Sequence, residues 1–454
     1  MAVWSQATLS GITVFDRCDG EYFLPAYINN EKELAQVETT SLPQLFLVSD
    51  GNHLSVSKHF SDDGDIPYFR GQDINDFFLE NASPIMIPKK VFSSPMMARS
   101  HFFAGDVLLS IVGTIGSLSI VPESLGSATG SCKIAILRSK GAYSPFVLAA
   151  FLMSRFGQLQ IRRNTRGAVQ MGLILKDLGR VHVPILEESV ASQIEHLVKQ
   201  AIDANTQSKT AYTQAQQLLE SELGLDKLRF DKPVGYTARF SDLELSRRID
   251  SEHYYPAFEN LKANLPRGVR LVPLGPLLNF CQRGKQPIYS DHGLPVLNSK
   301  HVLENKLILE GNRYAKPNPV LSLQIQYGDV LINGTGRGTI GRTAPYLIDA
   351  HQAIPDNHVT ILRSAPLDPA YFSFYLNSHA GKLQVEKYQR GSSGQLELYP
   401  FDIRKFQVWE APQTVQQEIR RLYEQAAESA RQSRELLDQA KSRVEQLIEE
   451  AVRV

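Results

Sequence analysis

The sequence predicts an α+β protein with two tandem β-rich domains, each followed by a long helix, and with the two helices pairing as an antiparallel coiled coil. The duplication rests on two returning motifs. Gly-Thr-Ile-Gly at 113–116 returns at 338–341, and Ile-Leu-Arg-Ser at 136–139 returns at 361–364. Both are displaced by 225 residues (113 to 338, 136 to 361), which unrelated short matches would not share. A three-four apolar spacing in two long stretches predicts the helices.

The two halves also begin alike. The acidic and aromatic segment at 17–27 resembles the one at 248–258, and Gly-Asp-Val-Leu occurs at 105–108 and again at 328–331. Length alone would suggest about three domains of roughly 150 residues, but a repeat of this size predicts two domains of ordinary size. The predicted boundaries are 1–185 and 231–410 for the domains, and 186–230 and 411–454 for the helices.

The body of each half has the pattern of a β-rich, loop-heavy domain. Short apolar runs such as 44–48 and 65–71 are bounded by Gly, Pro, Asn and Asp, which is typical of short strands and tight turns. The apolar run after Gly105-Asp106 has strand length, and 119–122 supplies another strand after Gly116. The two glycines of the repeated motif are therefore predicted to lie in a turn between strands.

The closing stretches at 193–223 and 415–452 carry the clearest periodicity in the chain. Their apolar positions follow a heptad seam, and many are Ala or Ser, which favours close approach of two helix backbones. We expect the two helices to pair with each other; the alternative is two amphipathic helices that each lie on their own domain. The predicted seam residues are Ile194, Leu197, Ala201, Ala204, Leu218, Ile419, Leu422, Ala426, Leu436, Val444 and Leu447.

The overall charge is balanced, with 48 Lys and Arg against 48 Asp and Glu. Any surface that binds a polyanion must therefore come from local clustering of charge. The chain has three cysteines without CxxC spacing, and no apolar run at its start that looks like a signal or membrane segment. These features predict a protein of the reducing cytoplasm without membrane association.

The motifs that could carry chemistry do not fit their usual contexts. The Gly336–Gly341 segment matches GxGxxG, but a dinucleotide-binding turn must open a helix, and the segment that follows looks extended and contains Pro345. The first half has Ile111 at the position 225 residues before Gly336. A nuclease reading of Pro355-Asp356 lacks a downstream acid-x-Lys strand, and the eleven histidines show no metal-ligand spacing. We therefore predict no catalytic residue, no metal and no cofactor bound by this chain.

Locally, several stretches are basic and poor in acids, notably 81–105, 155–180 and 311–348. Such stretches are either solvated loops or phosphate contacts, and their occurrence in both halves favours phosphate contact. Amide and imidazole side chains near them could hydrogen-bond base edges. The candidate DNA-binding residues are Arg70, Gln72, Lys89, Lys90, Arg99, Arg162, Arg163, Arg166, Gln170, Lys285, Asn298, Lys300, His301, Lys316, Arg337, Arg342, Arg390 and Gln395.

The order of these motifs resembles the specificity subunit of type I restriction-modification systems over essentially the whole chain. The resemblance rests on the opening Arg-x-Asp segments, on Ile66–Ile74, on the repeated Gly-Asp-Val-Leu and on the closing helices. It implies a non-catalytic subunit with two target-recognition domains, each reading one half of a bipartite duplex site. The second copy departs from the pattern at Asn298, which replaces Arg70.

The resemblance also implies the partners. The paired helices would act as a spacer and as a docking surface for two methyltransferase subunits that use S-adenosylmethionine. Further restriction and translocase subunits would use ATP and Mg. Two alternatives stay open: the specificity subunit of another bipartite system, whose partner both methylates and cuts, and a two-lobed structural scaffold without a DNA role. A self-contained enzyme is disfavoured because the catalytic motifs are missing.

A spacer function makes a prediction about helix length. A helix of about 30 residues spans about 45 Å at 1.5 Å per residue, and one turn of duplex rises roughly 34–36 Å. Insertion of one heptad into residues 197–215 is therefore expected to change the preferred gap between the two half-sites while each half-site keeps its sequence. Selection of bound duplexes from a random pool measures the gap. An unchanged gap would mean that the helices do not set the spacing.

Overall fold

The computed structural model describes residues 6, 12, 17–61, 63–79, 82–167, 171–229, 235–316, 323–348, 352–391 and 395–453. The chain divides into two compact units, 1–206 together with 429–454, and 207–428. Each unit thus contains part of both long helices, whereas the sequence boundaries set the helices apart from the domains. The reason is that the two ends of a helix belong to different cores: Ile194 and Val444 pack in the first unit, Leu219 and Ile419 in the second.

In the first repeat, a four-stranded antiparallel sheet in the order β2-β8-β5-β6 forms the centre. A smaller sheet, β4-β3-β7, contains the parallel pair β3–β7, and β1 pairs with β9. The elements are α1 (Pro25–Leu34), β1 (Thr39–Ser41), α2 (Leu42–Leu45), β2 (Phe46–Asp50), β3 (Ile66–Phe69), β4 (Ile85–Ile87), α3 (Lys89–Phe92), β5 (Val107–Ser110), β6 (Leu118–Ile120), β7 (Thr129–Gly130), β8 (Ile134–Ser139), α4 (Pro145–Met153), α5 (Arg155–Arg163), α6 (Leu175–Leu178) and β9 (His182–Pro184).

The second repeat has the same central sheet, in the order β11-β20-β17-β18. Its smaller sheet, β12-β16-β13-β19, again contains one parallel pair, β13–β19. The elements are α8 (Phe240–Ser246), α9 (Ala257–Ala263), β10 (Leu271–Pro273), β11 (Leu278–Arg283), β12 (Tyr289–Ser290), β13 (Leu294–Leu297), β14 (Val302–Leu303), β15 (Lys306–Leu307), β16 (Tyr314–Ala315), β17 (Asp329–Asn333), β18 (Thr343–Tyr346), β19 (Ile354–Pro355), β20 (Val359–Ser364), α10 (Pro369–Asn377), α11 (His379–Tyr388), α12 (Pro400–Ile403) and β21 (Gln407–Trp409). The matching order supports the duplication that the sequence predicts.

The inner strands are apolar throughout because both faces of each central sheet are covered. Val107 and Leu109 point into one core of the first unit, and Leu108, between them, points into another. In the second unit Val330 and Leu331 divide in the same way. Side chains alternate between faces along a strand, so a strand buried on both faces is a continuous apolar run.

Two of the repeated motifs, Gly-Asp-Val-Leu and Ile-Leu-Arg-Ser, contact each other in both units. The Asp106 carboxylate accepts hydrogen bonds from Nε and Nη2 of Arg138 at 2.8 and 2.7 Å, and from the Phe103 backbone at 2.8 Å. In the second unit Asp329 pairs with Arg363 at 2.5 and 3.0 Å. Both carboxylates are almost fully buried. The Gly-Asp and Ile-Leu-Arg-Ser motifs are therefore parts of one structural ion pair.

The repeated glycines lie in a turn between β5 and β6, and between β17 and β18, as the sequence predicts. Gly113 and Gly116 have φ values of +88° and +91°, in the left-handed region that glycine adopts without strain. The turn is closed by the Gly116 amide, which donates to the Ser110 carbonyl, and the Gly341 amide makes the equivalent bond to Asn333. The motif is a structural turn.

The second turn is two residues longer, since 110 to 116 becomes 333 to 341. The Ile111 amide donates to the Lys133 carbonyl, and the equivalent bond runs from Gly334 to His358. Ile111 therefore corresponds to Gly334, which corrects the sequence alignment with Gly336. The GxGxxG pattern is a product of this insertion, which also explains its absence from the first half.

The long helices are α7 (Glu188–Leu223) and α13 (Gln413–Arg453). In the second unit the Ser208 hydroxyl donates to the Ala426 carbonyl at 2.8 Å, and in the first unit the Ser433 hydroxyl donates to the Ala201 carbonyl at 2.6 Å. The residue numbers of both pairs add to 634 (208 with 426, 201 with 433), as antiparallel pairing requires. The predicted antiparallel helix pair is confirmed.

The buried seam drifts from the strict heptad pattern. Leu197, Leu218 and Leu447 are half-buried, while the next residues, Val198, Leu219 and Ile448, are fully buried. The cause is that an α-helix has 3.6 residues per turn and a 3.5-residue repeat falls out of phase along it. The other predicted seam positions are buried except for the half-buried Leu436: Ile194, Ala201, Ala204, Ile419, Leu422, Ala426 and Val444.

Within the described ranges, no helix is long and apolar enough to cross a membrane. The same residues contain no group of three His, Cys, Asp or Glu side chains that could hold a metal ion. The three cysteines are free thiols, and only Cys281 is buried.

The close contact of the helices predicts that a larger side chain at Ala426 is not accommodated. Ala426→Leu is expected to lower the free energy of unfolding by about 1–3 kcal/mol, because added methylenes in a packed core force neighbouring side chains off their rotamers. Gln214→Leu, at an exposed position of α7, is the control and is expected to change it by less than about 0.5 kcal/mol. Urea unfolding measures both. Equal stabilities would mean that the seam is loosely packed.

Candidate nucleic-acid interface

One end of each central sheet gathers the loops that carry most of the candidate residues. In the first unit β5 ends at Ser110, which pairs with Ile134 at the start of β8, and β2 ends at Asp50 beside Ala135. The second unit repeats this arrangement around Asn333. We call this end, which carries the glycine turn, the turn end of each unit.

In the first unit, three segments surround the glycine turn. The Thr114 hydroxyl donates to the Gly71 carbonyl at 3.0 Å, which holds residues 71–73 against the turn. A Cβ on Gly71 would lie 3.0 Å from the Lys133 Cβ, so Lys133 is immediately beside it. Arg166 and Gly172 exchange backbone hydrogen bonds of 2.7 and 2.8 Å, and Gly172 also bridges to Val112.

This turn end presents Gln72 and Lys133 to solvent. The Lys133 ammonium has no hydrogen-bond or ion-pair partner among the described residues. Arg99 also reaches this end, where it forms an ion pair with Asp50, which contacts His53 as well. Lys133 was not among the residues predicted from the sequence, although the 225-residue offset places it opposite His358, also at the turn end.

In the second unit, the loop after β13 lies against the glycine turn. The side-chain Nδ2 of Asn333 donates to the backbone carbonyls of Ser299 and Val302 at 3.1 and 2.9 Å. Since β13 pairs in parallel with β19 as β3 pairs with β7, Asn298 corresponds to Arg70 and Lys300 to Gln72. Lys300 is exposed, as Gln72 is.

A second segment completes this turn end. Arg390 and Glu397 exchange backbone hydrogen bonds of 2.7 and 2.8 Å, and the Leu398 amide donates to the Gly334 carbonyl at 2.8 Å. Gln395 lies in the loop between these residues and is exposed. Three further cations without side-chain partners in the described ranges lie in or beside the turn: Lys285, Arg337 and Arg342.

Two of the candidate arginines have a structural role instead. Arg166 donates to Asp177 at 2.6 and 2.9 Å, and Arg390 donates to Asp402 at 2.7 and 3.1 Å. Both carboxylates are completely buried, and a buried carboxylate is strongly destabilising without its partner. The same pair occurs at matching positions of both units. These arginines therefore stabilise the part of the structure that both units share, namely the central sheet with its buried Asp–Arg pairs, which we call the shared frame. About a third of each side chain is nevertheless exposed.

His301 also differs from its prediction. It is buried, and its Nδ1 accepts a hydrogen bond from the backbone N–H of Asn298 at 3.0 Å. Burial, with a smaller contribution from Lys300, lowers the pKa of His301 to about 4, so the ring is neutral at pH 7. Asn298 accepts from the Lys300 amide at 3.1 Å. Both residues shape the loop that presents Lys300.

Arg70 and Arg163 are likewise engaged in structural contacts. Arg70 makes hydrogen bonds of 2.9 and 2.8 Å to Asp73, and Arg163 donates to the Tyr22 carbonyl and to Glu31. The Arg163 side chain is only 10% exposed. An arginine held between a carbonyl and a carboxylate on its own unit is poorly placed to contact a phosphate.

The remaining candidates are not brought to the turn ends by contacts. Lys89 and Lys90 are exposed on α3, which follows β4, and β4 pairs with β3 so that Ile87 faces Ile66, at the end of β3 away from Arg70. Arg162 is exposed on α5, and Lys316 is exposed after β16. Gln170 lies outside the described residues.

The fold and these surfaces together define a duplicated α+β protein with a basic, amide-bearing face at the same end of each central sheet. No family model and no curated protein matches the chain. Among solved structures, it is similar to a type I restriction-modification S subunit from M. genitalium, at a TM-score of 0.42 and 11% identity, over 90% of this chain and 96% of that one.

Two further structures are similar over most of their length. The HsdS subunit from Thermoanaerobacter tengcongensis has a TM-score of 0.28 and 15% identity, with 90% of this chain and 95% of that chain covered. A chain from a structure on assembly and conformational transition of the type I R-M system has a TM-score of 0.32 and 16% identity, with 91% and 97% covered.

The structural role of Arg166 can be separated from a DNA-contacting role by comparison with Arg162. Arg166→Ala is expected to lower the free energy of unfolding by about 3 kcal/mol, because it removes both close hydrogen bonds to the buried Asp177 carboxylate and leaves only Arg180, at 3.5 Å, as its ion-pair partner. Arg162→Ala removes the same side chain from an exposed position and is expected to change stability by less than about 0.5 kcal/mol. Chemical denaturation of the two variants measures the difference. Equal stability would show that the buried pair is not structural.

Proposed function

We propose that this chain is the DNA sequence-recognition subunit of a type I restriction-modification system, and that each unit reads one half of a bipartite duplex target. The observation that carries the proposal is the turn end, which in both units bears exposed cations and amides on a shared frame. Cations at such a face contact phosphates, which supplies affinity. Amides and remaining donors contact base edges, which supplies sequence discrimination.

The division between frame and variable residues supports two different half-sites. The ion pairs of Asp106 and Asp329 occur in both units with the same geometry. At the turn ends the matched residues differ: Gln72 corresponds to Lys300, and the second glycine turn has two extra residues. Readers of different sequences need a common scaffold and different contact side chains.

In this proposal the chain itself is not catalytic. Methylation belongs to partner subunits that bind S-adenosylmethionine, and translocation and cleavage belong to subunits that use ATP and Mg. The exposed faces of α7 and α13 supply the docking surface for two methyltransferase subunits. The motif order described above motivates this part of the proposal.

Two alternatives remain open on the same residues. A bipartite system with one partner that both methylates and cuts would use the same turn ends, so it differs only in the partner. A two-lobed scaffold without a DNA role would leave the exposed cations as solvated side chains. Duplex binding by the purified chain separates the scaffold from both DNA-binding proteins.

We expect the chain to bind duplex DNA with an affinity that falls steeply as salt rises. Each phosphate contact contributes about 0.9 to the slope of log affinity against log salt, so the double variant Lys300→Ala, Arg337→Ala should lower the slope by about 1.8. The control is Lys89→Ala, Lys90→Ala, which removes two exposed cations away from the turn end. Fluorescence anisotropy at several salt concentrations measures the slopes.

The salt dependence of duplex binding distinguishes a DNA-recognition subunit from a scaffold without a DNA role. A chain without salt-dependent duplex binding would contradict the proposed function and favour the scaffold. Equal slopes for the two double variants would keep DNA binding but place the contact surface elsewhere than the turn end.

A further inference from the structure

An aromatic cluster adjoins the turn end of the second unit, and none of its rings was among the candidate residues. Tyr399 and Phe401 stack with their ring centroids 5.5 Å apart and their planes 12° from parallel. The guanidinium of Arg283 lies 5.1 Å from the Tyr399 ring, and that of Arg390 lies 5.1 Å from the Phe401 ring. Phe401 is nevertheless 51% exposed.

Hydrogen bonds from the Arg283 side chain to backbone carbonyls attach this aromatic cluster to the glycine turn. Arg283 donates from Nη2 to the carbonyls of Gly334 and Leu398 at 3.0 and 3.2 Å, and Leu398 directly precedes Tyr399. Phe401 lies on α12 beside Asp402, the buried partner of Arg390. The exposed ring is thus fixed to the frame on both sides, next to the loop that carries Arg337.

The ring has no counterpart in the first unit, although the frame beneath it does. The Leu173 amide donates to the Ile111 carbonyl at 2.9 Å, just as Leu398 donates to Gly334. This match places Ile174 opposite Tyr399 and Lys176 opposite Phe401. The two units therefore present different side chains at the same place on the same backbone, which is the arrangement expected of residues that read different bases.

We propose that Phe401 is a specificity-determining residue that contacts the C5-methyl group of a thymine in the major groove of the second half-site. This inference rests on the proposed function. The Phe401 ring is stacked on Tyr399 and contacted by Arg390, which holds it in one orientation. Apolar side chains distinguish thymine by its methyl group. Arg337, which is exposed on the adjoining glycine turn and has no side-chain partner among the described residues, is the cation that would contact a phosphate and bring the exposed part of the ring to the groove.

The experiment replaces single thymines by deoxyuridine, which removes only the methyl group. The purified chain first selects its target from a random duplex pool, and each thymine of the second half-site is then replaced in turn. At one position, affinity is expected to fall about fourfold, the effect of one buried methyl group. In Phe401→Ala the thymine and uracil duplexes are expected to bind equally.

Two further variants serve as controls. Phe401→Lys places the residue type of position 176 on the second frame and should also lose the preference for thymine over uracil. Ile174→Ala should leave that preference unchanged, because it alters the other unit. Circular dichroism checks that the variants are folded.

Three outcomes would overturn the inference. The second half-site could lack thymine, uracil could be neutral at every position, or the uracil effect could persist in Phe401→Ala. Neutral uracil with weaker binding by Phe401→Ala would indicate that the ring inserts between base steps or stacks on an unpaired base. If the wild-type chain selects no sequence at all, the proposed function fails with it.

Discussion

The structure depends most on the requirement that a buried carboxylate keep its guanidinium. Asp106 and Asp329 each hold together a strand start, a turn and the arginine of a neighbouring strand. Asp177 and Asp402 do the same for the segments beside the glycine turns. Loss of either partner of such a pair is strongly destabilising. The arginines of these pairs are therefore constrained by the fold, and they are the same in both copies.

Positions outside these four ion pairs do vary between the copies. Position 50 in the first unit is an aspartate that pairs with Arg99, and the register places Arg283 at the matching position of the second unit. Arg283 instead bonds the carbonyl of Gly334. A reversal of charge at one strand end, on an unchanged sheet order, alters the surface of the turn end without altering the fold. Duplication followed by such changes would give the two different recognition surfaces that the proposed function requires.

The sequence predicted what depends on local pattern, and it failed where long-range contacts decide. Repeated motifs predicted the duplication and the glycine turn, because both can be recognised in short stretches of sequence. The helix pair joins residues 218 positions apart, and it was predicted because both long stretches carry the same periodic seam of apolar and small residues. Whether an arginine is free depends on residues far along the chain: Arg163 reaches Glu31, 132 residues away. The burial of His301 and the position of Lys133 beside Gly71 are likewise tertiary facts. Candidates chosen by local charge density therefore included arginines with structural contacts, such as Arg163, and did not include the exposed Lys133.

The helices are part of the cores and not only a connection between domains. Ala440, Val444 and Ile448 are fully buried in the same core as the first central sheet, and the Arg155 amide donates to Glu445, 290 residues away. Residues 429–454 thus contribute side chains to the core of the first unit. A fragment that ends at residue 185 would lack those side chains and leave their apolar partners exposed. The compact piece is 1–206 together with 429–454, so an exchange of the first unit has to carry both segments to keep its core intact.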